Sequence, residues 1–100
     1  MTVYCIALIN IADREKYSIY EREFRQVFRR YSGTLLSADE RPTVREGDWP
    51  HTRTVLISFP DAAAFSAWYD STDYQAIAQH RYAASTTSLA VIKGPTVATQ

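Results

Sequence analysis

A single cysteine in 100 residues, Cys5, leaves no partner for an internal disulfide. It lies inside an apolar run beside no charge, where a thiol behaves as a small buried hydrophobe. An excess of one charge is also missing: eleven basic residues balance eleven acidic ones, so no overall field draws the chain to nucleic acid or to an anionic membrane. No apolar run approaches the roughly 20 residues a membrane helix needs, since the longest, Val3 to Ile9, stops at Asn10. The N-terminus enters that run without the basic region and small-residue cleavage site of a signal peptide, which sets the expectation of a cytoplasmic protein. Repeats and low-complexity segments are absent. Asp48-x-x-His51 is too little for a metal site, and neither histidine stands at motif spacing from a nucleophile, so no metal and no cofactor are expected.

What is present is apolar bulk, 46% hydrophobic and 13% aromatic residues, enough for one folded domain over residues 1–95 with a frayed polar tail at 96–100. A chain this short buries only about 60 to 70% of the surface its unfolded form exposes, so a partner would add needed burial. Thr2 to Ile11 is apolar at both alternating sets, Val3, Cys5, Ala7 and Ile9 against Tyr4, Ile6 and Leu8. That pattern predicts a central strand covered on both faces.

Asp13 suits a helix N-cap, and Tyr17, Tyr20, Phe24, Val27, Phe28 and Tyr31 recur at intervals of three and four, which predicts an amphipathic helix ended by Gly33. Arginines and glutamates interleave on its other face, the pattern of a solvated surface rather than a phosphate site. Thr34 to Ala38 reads as a short strand, and Thr43 to Glu46 as either another strand or an extended arm. In the loop Gly47 to His51, Trp49 is the residue expected to fold back on the core or to dock on a partner. Thr54 to Phe59 is a strand stopped by Pro60, and Asp61 caps a helix from Ala62 to Asp70 that buries Phe65 and Trp68. Ser71 caps another helix whose stripe runs Tyr74, Ile77, Ala78 and then Arg81, a charge where an apolar residue belongs. Ser88 to Ile92 closes the sheet.

This order predicts an α+β domain with a ferredoxin-like antiparallel sheet and helices on one face. A second copy pressed sheet to sheet would cover the other face, giving a homodimer. The run Glu46-Gly47-Asp48-Trp49, then Arg53 to Pro60, then Ala67-Trp68-Tyr69-Asp70-Ser71 with Tyr74-Gln75 and Arg81, resembles domain-of-unknown-function family 1330, over about residues 2 to 94. Thr72-Asp73 stands where that family usually has proline and an acid. The resemblance implies the dimeric α+β barrel fold and a cleft, and no reaction.

Two function classes follow. In the first, the dimer binds a small organic molecule, carboxylated or aromatic, in a cleft between sheet and helices lined by Asp48, Trp49, Tyr69, Tyr74 and Arg81. In the second, a cofactor-independent enzyme of monooxygenase, isomerase or decarboxylase type acts on a small aromatic or keto acid, with His51 or His80 as general base. The second class is suggested by relatives in the wider superfamily. Arg81 is the sharper item, because an inward guanidinium needs a carboxylate such as Glu46 or Asp48, several carbonyls, or an anionic ligand.

Overall fold

The computed structural model describes residues 1–95, so the tail expected to fray at 96–100 lies outside the described residues. Strand β1 runs Val3–Ile11, helix α1 Arg14–Phe28, β2 Thr34–Asp39, β3 Arg53–Phe59, α2 Ala62–Tyr69, α3 Thr72–Ala84 and β4 Ser85–Lys93. The four strands form one sheet in the order β2-β3-β1-β4 with every neighbouring pair antiparallel. The fold is ferredoxin-like, with all three helices on one face. Among the described residues no helix is long and apolar enough to cross a membrane.

The register explains which half of β1 meets the helices. Val3, Cys5, Ala7 and Ile9 sit opposite Phe59, Ile57, Val55 and Arg53 of β3, and the four β1 residues are all buried. Tyr4, Ile6 and Leu8 point the other way, beside Leu56 of β3 and Ala90 and Ile92 of β4. They are only partly covered, and Ile92 is 48% exposed. The second apolar set thus forms an uncovered patch across the middle of the sheet.

Each helix begins at the residue chosen for it. Asp13, Asp61 and Ser71 accept hydrogen bonds from the backbone N–H of Lys16, Ala64 and Tyr74, each satisfying one of the donors a helix start leaves free. Ser71 also donates to the carbonyl of Trp68 at 2.7 Å, so one hydroxyl ends α2 and starts α3.

Several boundaries differ from the sequence pattern. Helix α1 stops at Phe28, short of Gly33, and Gly33 has no positive φ. Its glycine is needed for closeness: a Cβ there would stand 2.5 Å from the ring of Phe28 and 2.7 Å from that of Phe59. Thr43 to Glu46 forms no strand. Strand β3 begins at Arg53, and β4 begins at Ser85, three residues earlier than expected, because Ser85 turns straight from the helix into extended backbone.

An aromatic cluster fills the space where α2 and the start of α3 meet β3. Trp68, 1% exposed, lies at ring-centroid distances of 5.4 Å from Phe28, 5.5 Å from Phe59 and 4.2 Å from Tyr74. Phe24 and Phe65 complete the cluster with edge contacts to the same indole.

Candidate functional site

Helix α1 packs on α3, and a cavity of about 680 Å³ lies between α1 and the sheet. Its floor is the helix-facing side of β1 and β3, its roof is α1, and Arg81 and Tyr74 of α3 line it too. The volume is in the range of small-molecule sites.

Arg81 is on the buried stripe that the spacing of α3 places it on. It is 4% exposed, beside Tyr74 and Ala78 at 0%. Among the described residues no carboxylate lies within salt-bridge distance of it. Its contacts are aromatic: Nη2 donates to the Tyr74 hydroxyl at 3.4 Å, and its guanidinium carbon lies 5.7 Å from the ring centre of Tyr20 and 4.9 Å from that of Tyr82. Burial disfavours its charge, but Tyr74 and Tyr20 more than offset this and hold it protonated beyond the ordinary arginine range.

The Tyr74 hydroxyl lies 2.8 Å from that of Tyr20, which reaches it from α1. Both phenols are pushed up by burial, so both stay protonated; for Tyr74, Arg81 and the Tyr20 hydroxyl pull in the opposite direction. Cys5 faces the same space, its thiol pushed up to about 11 by burial with Arg81 drawing it back, and it is therefore neutral. Trp68 also lines the cavity, and its indole N–H is buried without a hydrogen bond.

A second arginine stands at the cavity wall. Arg53 lies opposite Ile9 in the register, on the inward side of β3, with its guanidinium 5.9 Å from the Tyr17 ring centre. Unlike Arg81 it is compensated, by Glu40 at 3.1 Å and Glu21 at 3.5 Å, though its Nε is buried with no partner. The period of β3 held the signal for it, since counting back by two from Phe59, Ile57 and Val55 arrives at Arg53.

The structure does not bring the candidate residues together. Tyr74 and Arg81 line the cavity; Asp48, Trp49, Tyr69, His51 and His80 do not. Trp49 is 42% exposed and donates to Thr54 Oγ1 at 3.2 Å, and His51 meets Asn10 at 3.4 Å and the Trp49 ring edge-on. Thr54 and Asn10 belong to the sheet face turned away from the helices, so this loop borders the uncovered patch. Asp48 is exposed in the same loop. Tyr69 stacks on Phe65 and lies 5.6 Å from the Tyr74 ring centre, half-buried against the core, and His80 lies 3.7 Å from Glu23 across the α1–α3 seam. Among the described residues no group of three His, Cys, Asp or Glu side chains is placed to hold a metal ion.

The protein-family model described as "Domain of unknown function (DUF1330)" matches residues 2–95. The chain belongs to that family. No curated protein matches it. Among solved structures, the DUF1330 chain is similar to a protein of unknown function from Rhodopseudomonas palustris, with a TM-score of 0.79 and 20% identity over 95% of this chain and 83% of that one. A cofactor-independent oxygenase from Streptomyces nogalater superposes with a TM-score of 0.67 and 18% identity, over 95% and 94% of the two chains. A dimeric ferredoxin-like protein of unknown function from Thermobifida fusca gives 0.69 and 12%, over 92% and 90%. At these identities the likeness is one of fold.

Proposed function

We propose that this protein is a homodimer, each copy of which binds a small organic anion with an aromatic body in the cavity between α1 and the sheet. The observation that carries the reading is Arg81: a buried, permanently charged guanidinium at a cavity wall, with no carboxylate partner in the described fold. An unpaired charge in such a place is costly, and a bound anion is the partner that makes it worth keeping. Tyr17, Tyr20, Phe24 and Trp68 give the same space aromatic walls.

The dimer reading rests on the opposite face. Tyr4, Ile6, Leu8, Leu56 and Ile92 make an apolar patch too continuous to leave in water, and solved proteins of similar fold are described as dimeric. Trp49 lies at its border. Sedimentation at micromolar concentration is expected to give twice the 11.4 kDa chain mass; a clean monomer would remove this half of the proposal.

The catalytic alternative, with a histidine as general base, has less support, because both histidines lie outside the cavity. A thermal-shift panel of small aromatic carboxylic acids and phenols tests the binding reading. Members of the panel should raise the melting temperature of the wild type and lose that effect in Arg81→Met, which keeps much of the stem and removes the charge. Equal responses in both proteins, or none in either, would sink it.

A further inference from the structure

Hydrogen-bond bookkeeping around Arg81 says more about the ligand than its sign. Two hydroxyls that share one hydrogen bond own two protons and use one. Tyr20 and Tyr74 are such a pair at 2.8 Å, and among the described residues neither oxygen has another acceptor. Whichever donates to the other, one phenolic proton is left over, and both residues line the cavity. Tyr74 already accepts from Arg81, so the spare proton and the uncommitted N–H groups of the guanidinium lie around one place. Among Arg81, Tyr74 and Tyr20 the donors outnumber the acceptors. Cys5, Tyr17, Tyr20, Tyr69 and Tyr74, the raised groups on which the Arg81 charge acts, are neutral at neutral pH. Among the described residues the one acid at the wall, Glu21, is held by Arg53, while Arg22 and Arg25 add positive charge on the α1 side.

The same geometry bears on how an anion is held. A carboxylate is gripped best by two parallel N–H groups of an arginine, and Nη2 belongs to both of the forks that a guanidinium can present. Here Nη2 is turned to Tyr74. Each of its two N–H groups serves one fork, so this bond closes one of the two to a bidentate carboxylate and leaves the other. A single anionic oxygen takes a free N–H and the spare tyrosine proton and leaves the arrangement in place.

We infer that Arg81, Tyr74 and Tyr20 form an oxyanion subsite that takes the ionised oxygen of a small aromatic phenol or enol and binds it in its deprotonated form. This rests on the cavity being a small-molecule site, and adds what the molecule must carry. No base is supplied with the subsite, so the proton leaves the ligand to solvent on binding; the protein selects the anion and does not make it.

The probe is 4-nitrophenol, whose phenolate is yellow and whose neutral form is not, with 4-nitroanisole as the isostere that cannot ionise and benzoate as the carboxylate. Titrated into the wild-type protein at a pH where free 4-nitrophenol is mostly protonated, the bound phenol is expected to show the phenolate band, and to bind about tenfold or more tightly than 4-nitroanisole, as a charged hydrogen bond allows. Arg81→Met should abolish the band. Tyr74→Phe and Tyr20→Phe, which keep their rings, should each weaken phenolate binding several-fold while leaving 4-nitroanisole alone, so the test survives if Arg81→Met does not fold. If 4-nitrophenol and 4-nitroanisole bind equally, with the spectrum of the neutral phenol, the oxyanion subsite is wrong and the binding cavity stands. Benzoate binding that depends on Arg81, with no phenolate band, overturns the subsite in favour of a carboxylate. If none of the three binds, the subsite and the small-molecule reading fall together.

Discussion

The space between helices and sheet has two ends of opposite character. At one, the rings of Phe28, Phe59, Phe65 and Trp68 close on one another with centroid separations of 5.4 to 6.0 Å, and Gly33 is kept bare so that two of them can meet. At the other, Tyr17, Tyr20, Tyr74, Arg53 and Arg81 surround a hollow. The first is built as cores are, from carbon in contact. The second uses aromatic residues as well, but each tyrosine brings a hydroxyl and each arginine a charge that apolar packing would exclude. The difference teaches how a 100-residue chain can hold a cavity: the closed end supplies the packing that lets the open end go unfilled.

Removing the indole that joins the closed end to the hollow should have the largest effect. Trp68→Ala is expected to destabilise by about 3 to 5 kcal/mol, as large aromatic truncations in cores do, measured by urea unfolding. A loss under about 1 kcal/mol would mean the two ends do not differ as described. Filling rather than emptying gives the next effect. Gly33→Ala drives a methyl against Phe28 and Phe59 and should cost about 1 to 3 kcal/mol, the range for overpacked sites. Wild-type stability in Gly33→Ala would show that these rings have room to move, and would make the closed end looser than the contacts imply.

The closed end was largely legible in the sequence and the open end only in part. Helix caps at Asp13, Asp61 and Ser71, the buried place of Trp68 and the inward Arg81 all follow from local rules, spacing and capping, that neighbours along the chain decide. The cavity does not. It exists because α1 rests on α3 and stands off the sheet, a fact about three elements far apart in sequence. For the same reason Tyr17 and Tyr20 read simply as a core stripe, although their buried rings face a hollow. No spacing rule joins Asp48 and Trp49 to Arg81. Strand parity sends the loop that carries them to the other side of the sheet, since Trp49 bonds Thr54 and Thr54 shares a face with Leu8.

The smallest effect belongs to the edge of the open end. Glu40 accepts from Arg14 at 2.8 Å and from Arg53 at 3.1 Å, tying the start of α1 to β3 beside the cavity. The hydrogen bond from Arg14, helped by Arg53, holds its carboxyl below the ordinary carboxylate value. A group lowered in the folded state contributes stability that is fully present above its unfolded value of 4.5 and is lost as pH falls through the lower, folded value. Glu40 is well exposed to solvent, so screening keeps the contribution under about 1 kcal/mol. Glu40→Gln should therefore be slightly less stable than wild type at neutral pH, and the gap should narrow below pH 4.5 and shrink in high salt. Arg53 keeps Glu21 in this variant, so its position at the wall is retained while half of its negative company is gone. Anion binding in the cavity should then strengthen a little as stability weakens a little. At the closed end no charge takes part, and Gly33→Ala should carry the same penalty across the whole pH range. A gap for Glu40→Gln that is equally flat with pH would show that the bridge at the open end contributes through packing, and the contrast between a carbon end and a charged end would lose its electrostatic half.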